Sequence, residues 1–235
     1  MRQIMNDAHL RRAIQMGVFL VVGCCLISQI MMQLGGGERD ERLDLSDQSP
    51  LELGDEMFVF EDGFPPFISS AGAFMPEQIV FNIGLFFGGV IMIILAFETF
   101  HRTKPEGAKQ KICNVISLIA GIIIGFSMVQ IVGHPFNTSI VMHIFWAMCI
   151  FWGAQVWIAT LTIARGEIDV GVSWRGWPIH QIRWAMFGIA VFSFQAMTAL
   201  VATGHLVESA MFEWTLTFSA EGMLLTLIPA FTPSA

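Results

Sequence analysis

The side chains able to do chemistry in this chain are few, and they sit inside long apolar runs. Gln29, Gln33, Asn82, Gln130, His143 and Glu213 each fall near one end of such a run, and Glu221 lies deeper in the last one. An amide, imidazole or carboxylate placed in a bilayer is costly, so by default it marks a function or a helix-packing contact. Two readings compete. The groups hydrogen-bond between helices, each worth roughly 0.6 kcal/mol, or they line a polar cavity open to the outer leaflet or lumen. His143 and Glu213 lie at matching depth and could share a proton. Such a pair can do acid–base work, neutralise itself structurally or sense pH. Glu221 lies about 12 Å below Glu213 at 1.5 Å per helical residue. Thr217 falls between them at i+4 spacing, so the three form a drifting polar stripe on one helix.

The chain contains no HExxH helix, no His pair at i, i+4, no CxxC pair and no phosphate-binding loop. No metal and no cofactor is indicated, although a bound phospholipid fits the composition. No nucleophile–base–orienter set can be assembled, which leans away from an enzyme; His143 and Glu213 stay the only catalytic candidates. Cys24, Cys25, Cys113 and Cys149 all fall within or beside apolar runs, so no disulfide framework is indicated. Nothing points to a nucleic-acid partner. Membrane lipids, and possible membrane-protein neighbours, are the partners the composition allows.

The elements that position these groups follow from hydropathy. Hydrophobic residues make up 54% of the chain and charged residues 13%, about half the charge of an average soluble domain. Spanning the hydrocarbon core takes about 20 apolar residues. Six stretches qualify, near 13–34, 79–98, 112–133, 139–164, 184–203 and 210–231. The expected fold is an all-α integral membrane protein, six transmembrane helices in one bundle forming a single domain over 1–235. Arg2, Arg11 and Arg12 precede the first span; Arg102, Lys104, Lys109 and Lys111 follow the second; Arg165, Arg175 and Arg183 follow the fourth. Lys and Arg collect on the cytosolic side, so both termini are expected there. The outward loop, residues 35–78, then holds the acidic insert 35–57 and much of the net charge of −7. On this topology the polar residues form one outer layer, while the inner half is poorer, with Asn114 and Gln155. "GLFFGG" at 84–89 and "GIIIG" at 121–125 read as close-packing helix faces.

Residues 64–77, "FPPFISSAGAFMPE", raise a separate question. Pro65, Pro66 and Pro76 oppose helix, Gly72 permits a reversal, and Phe67 with its apolar neighbours has surface to bury. The segment is expected to fold back as a cap on the outer polar layer, with Ser69 in it and Glu77 opening the second helix.

The continuation "PPFISSAGAFMPEQIVFNIGL", followed by "NVISLIAGIIIGFSMVQIV", a His early in the fourth span and "FEWTLTF" opening the sixth, resembles the DRAM family of damage-regulated autophagy modulators and related proteins. The resemblance runs through the chain in order, apart from the acidic insert. It implies a six-span protein of lysosomal, Golgi or plasma membranes. By resemblance the function is non-enzymatic, binding or organising lipid or regulating membrane partners in autophagy or lipid homeostasis. The alternatives it leaves are a lipid-remodelling enzyme or subunit, acting for example on GPI anchors, and a structural subunit of a larger complex. Where many relatives carry Asp-Thr-Gly-Thr, this chain has Ser70, Ala71, Gly72 and Ala73, and Glu221 stands where relatives are usually apolar.

Overall fold

The computed structural model describes residues 5–35, 67–73, 75–136 and 138–231, the side chains of 33–35 and 206–207 excepted. Gln33, Pro65, Pro66 and the acidic insert, all singled out in the sequence, lie outside what is described. The described residues are helical almost throughout. α1 (Asp7–Val18) runs through a π-helical turn (Phe19–Gly23) into α2 (Cys24–Gly35), and a 3₁₀ turn (Ile68–Gly72) precedes α3 (Glu77–Arg102). α4 (Ala108–Val132) and α5 (Ile140–Arg165) follow. A two-strand hairpin, β1 (Ser173–Trp174) and β2 (Trp177–Pro178), then leads into α6 (Ile179–Ala202), α7 (Leu206–Leu225) and the short α8 (Leu227–Ala230).

Among the described residues, five helices are long and apolar enough to cross a membrane: Asp7–Met32, Glu77–Arg102, Ala108–Val132, Ile140–Arg165 and Ile179–Ala202. α7 is outside that set; it carries Glu208, Glu213 and Glu221. Large apolar side chains cover the outer faces, among them Phe86, Phe87 and Ile94 on α3 and Ile112, Ile119 and Phe126 on α4. Soluble monomers do not expose contiguous apolar surface on that scale. Lipid is its natural solvent.

The helices start earlier or end later than hydropathy alone indicates. α1 begins at Asp7, where the Asn6 side chain accepts the His9 N–H at 2.9 Å and caps the helix. α3 continues to Arg102 and α6 starts at Ile179, several residues beyond the apolar stretches at 79–98 and 184–203. The extra turns carry ionic residues that are buried in pairs, and a hydropathy window stops before such residues. The last stretch, expected over 210–231, is interrupted at Thr226 between α7 and α8.

Glycines set the closest helix contacts. A Cβ added at Gly89 would lie 2.5 Å from the Gly125 carbonyl oxygen, and one at Gly125 the same distance from the Gly89 carbonyl oxygen. The two small-residue motifs of α3 and α4 therefore face one another, backbone to backbone, as their spacing suggests.

Candidate functional site

Between the helices runs an apolar cavity of about 110 Å³. Its wall comes from the first helix (Gly17, Val21, Cys25), the 3₁₀ turn (Ile68, Ser69), α3, α4, α5 and α7, but not from α6. On α3 the lining runs from Phe81 to Leu95 and on α5 from His143 to Trp157. At 1.5 Å per residue each stretch covers about 20 Å. A small volume over that length makes the cavity a narrow tunnel.

The turn at 68–72 lies at one end of the tunnel, and its fastening is polar. The Ile68 N–H donates to Glu213 Oε2 at 2.7 Å. Gln29 Nε2 donates to the carbonyl oxygens of Phe67 and Ile68 at 2.8 and 3.1 Å. Gln78 Nε2 donates to the Gly72 carbonyl at 2.9 Å. Three helices thus hold one short segment, while Ile68, Ala71 and Ala73 bury their side chains beneath it. The expected fold-back is present over these residues, with two differences. A 3₁₀ helix forms where a non-helical segment was expected. Gly72 serves by its size, since a Cβ there would come within 2.7 Å of the Phe81 ring; the positive-φ glycines are Gly171, Gly176 and Gly204. Pro76 sits at the N-cap of α3 and Glu77 is buried in its first turn.

His143 and Glu213 are both buried and both line the tunnel, but no hydrogen bond joins them among the described residues. His143 Nδ1 lies 2.8 Å from the His134 carbonyl oxygen. A carbonyl only accepts, so Nδ1 carries the proton in this contact and Nε2 is the ring's other nitrogen. Ser69 lines the tunnel too. Glu213, Thr217 and Glu221 all line it, so they share one side of α7, and Glu221 Oε2 is buried without a hydrogen-bond partner among the described residues. Asn82 and Gln130 are half-buried and lie outside the tunnel wall. They do not join the site.

At the opposite end of the bundle, ionic residues at and beyond the helix ends are buried together. Arg165 donates from Nε to Asp169 Oδ2 at 2.8 Å, from Nη2 to Asp169 Oδ1 at 2.5 Å and from Nη1 to Thr103 Oγ1 at 3.0 Å. Arg183 donates from Nη1 to the same Asp169 at 2.5 Å and from Nε to Thr226 Oγ1 at 3.0 Å. Arg165 and Arg183 are 2% and 1% exposed, so these are fully interior ions. Beside them Arg102 pairs with Glu98 at 3.0 Å and with Asp7, and the Met5 N–H reaches Glu98 at 3.0 Å. The Phe231 ring lies under both guanidinium groups, 4.3 Å from Arg165 and 5.6 Å from Arg102. This ionic layer joins the N-terminal segment, α3, α5, α6 and the end of α7. The signal for it was present as Glu98/Arg102 and Arg165/Asp169, two i,i+4 pairs at span ends.

A bundle of apolar-surfaced helices around a tunnel, with a polar lid at one end and an ionic floor at the other, defines a multi-pass helical membrane protein. The chain belongs to the family whose matching domain is described as the Frag1/DRAM/Sfk1/Cwh43P N-terminal domain, over residues 51–234. The match begins inside the acidic insert, so the first helix, which forms part of the tunnel wall, lies outside it. No curated protein and no solved structure gives a significant match.

Proposed function

We propose that this protein binds a membrane lipid non-covalently, holding one of its apolar chains in the tunnel, and acts by organising that lipid. The observation that carries this is the tunnel's form: about 20 Å long, lined mainly by apolar side chains, with Glu213, Thr217 and Glu221 as a polar stripe down one helix and the 68–72 turn at one end. An acyl chain matches a narrow, mainly apolar tube. α7 is taken as the sixth span, with both termini and the basic loops cytosolic, so the lid faces the outer leaflet or lumen. Family resemblance adds autophagy or lipid homeostasis as the setting, in a lysosomal, Golgi or plasma membrane. The direct test is photo-crosslinking of the purified protein with a diazirine-bearing phosphatidylcholine. Label is expected on tunnel residues of α3, α5 and α7, and Ala220→Trp should remove most of it. Label confined to lipid-facing residues such as Phe86 and Ile94 would overturn the reading. Orientation is tested separately by protease added outside sealed cells, which should cut between residues 35 and 62 and spare a tag at either end.

One observation favours a second reading, a lipid-remodelling activity. Ser69, His143 and Glu213, a hydroxyl, an imidazole with its Nε2 uncommitted and a carboxylate, all line the tunnel near its lid. Those are the group types of acyl transfer, although no hydrogen bond links Ser69 to His143 among the described residues. Incubation with a radiolabelled acyl lipid decides: turnover abolished by Ser69→Ala would establish the activity, and lipid retention without turnover would leave binding alone.

A further inference from the structure

The hairpin between α5 and α6 exposes large apolar side chains outside the spans. Its register pairs Trp174 directly with Trp177, so the two indoles share one face. They are 49% and 67% exposed, and neighbouring Val170 is 80% exposed. The turn residues Arg175 and Gly176 both have positive φ, 51° and 84°, the two-residue geometry whose twist suits a tight hairpin. Arg175 is a poor residue for that conformation. Its guanidinium lies 5.7 Å from the Trp174 ring centroid, which places a cation at the hairpin tip against an aromatic face.

Several of the polar groups presented here can donate. Neither the Trp174 nor the Trp177 indole N–H has a partner among the described residues, and an indole can only donate. Trp184 Nε1 donates to His180 Nε2 at 3.1 Å, which leaves the proton of His180 on Nδ1. His180 and Ser173 line a concavity of about 440 Å³ beside the hairpin, whose other wall is the turn around Asp169. The Asp169 carboxylate is already shared by two buried arginines, Arg165 and Arg183. The hairpin is rigidly mounted: it starts four residues after Asp169, and the Ile179 N–H donates back to the Val172 carbonyl at 3.1 Å. α6, a membrane-length helix, begins at the residue after Pro178. Continuity with that helix holds the hairpin at the membrane surface, where tryptophan concentrates.

We propose that the Ser173–Pro178 hairpin is a phospholipid-headgroup site. It beds Trp174 and Trp177 into the interfacial zone of the leaflet on the basic side and sets Arg175, Ser173 and His180 on the lipid phosphate. The site is separate from the tunnel and needs only that α6 crosses the bilayer.

The test uses the full chain in phosphatidylcholine nanodiscs, comparing wild type with Trp174→Phe/Trp177→Phe. The difference in tryptophan emission isolates the two indoles. Lipid carrying a doxyl group near the headgroup is expected to quench that difference signal at least twofold, while aqueous iodide leaves it nearly untouched. Quenching by iodide without quenching by lipid would overturn the proposal and place the hairpin in solvent. Protection from both quenchers would also overturn it, indicating a protein partner or a second copy. Arg175→Glu should move the difference signal toward iodide access, as expected for lost phosphate contact. Tunnel cross-linking should be unchanged in both variants, so failure here and failure of the tunnel reading are told apart.

Discussion

Glu213 on α7 accepts the backbone N–H of Ile68, 145 residues away in sequence, at 2.7 Å. That bond fastens the lid to a helix it does not adjoin in the chain. Hydrogen bonds to a carboxylate are worth about 1–3 kcal/mol when buried. Glu213→Ala is therefore expected to raise hydrogen exchange of the amides at 67–73 by about tenfold or more, at 1.4 kcal/mol per factor of ten. Glu213→Gln, which keeps an acceptor, should raise it less. Equal, unchanged exchange in both variants would show that the lid is held without Glu213.

Asp169 is the shared counter-ion of Arg165 and Arg183. Removing one partner of a buried ion pair costs about 3–5 kcal/mol, because the remaining charge is left uncompensated. Asp169→Ala should lower the melting temperature in detergent sharply. Asp169→Leu combined with Arg165→Met and Arg183→Met should recover much of the loss. A single substitution without effect on melting would mean that water or ions reach the arginines.

Gly89 and Gly125 touch through their backbones, so neither position has room for a side chain. Gly125→Val is expected to cost about 1–3 kcal/mol as overpacking, read as lower thermal stability. Gly188, with nothing within 4 Å of an added Cβ, is the control: Gly188→Ala should be neutral or slightly stabilising, given the helix preference for Ala.

His143 and Glu213 have different partners, the His134 carbonyl and the Ile68 N–H. A cycle of His143→Gln, Glu213→Gln and the double change should be additive within about 0.5 kcal/mol in unfolding. A larger coupling would restore the direct pair that matching depth suggests.

The outer layer was legible because a polar residue within an apolar run stands out. Gln29, His143 and Glu213 were found that way, and so was the stripe continuing to Glu221. Their actual partners were not legible. Each bond runs to a backbone group of a loop, distant in sequence for Gln29 and Glu213 and just before its own helix for His143, and depth along a helix carries no information about which carbonyl or amide lies opposite. Asn82 and Gln130 illustrate the same limit, since depth does not say which face a side chain occupies. The ionic floor was missed for another reason. Arg102, Arg165 and Arg183 sit where the positive-inside rule expects cations, and that rule already accounted for them. Nothing in it says that such residues will be buried. The lid was visible as a proline-rich, aromatic segment; that Gly72 is needed for room beside Phe81 takes coordinates to see.

The two ends of the bundle are fastened by different kinds of bond. Arg165, Asp169, Arg183, Thr226 and the Glu98–Arg102 pair join the ends of α3, α5, α6 and α7 on one side through buried ions, whereas at the other end Gln29, Gln78 and Glu213 hold the 68–72 turn through hydrogen bonds to its backbone. Under the proposed function, the bonds from Gln29 and Glu213 to the turn, which can break without disturbing the buried ions, would govern how readily a lipid chain enters the tunnel.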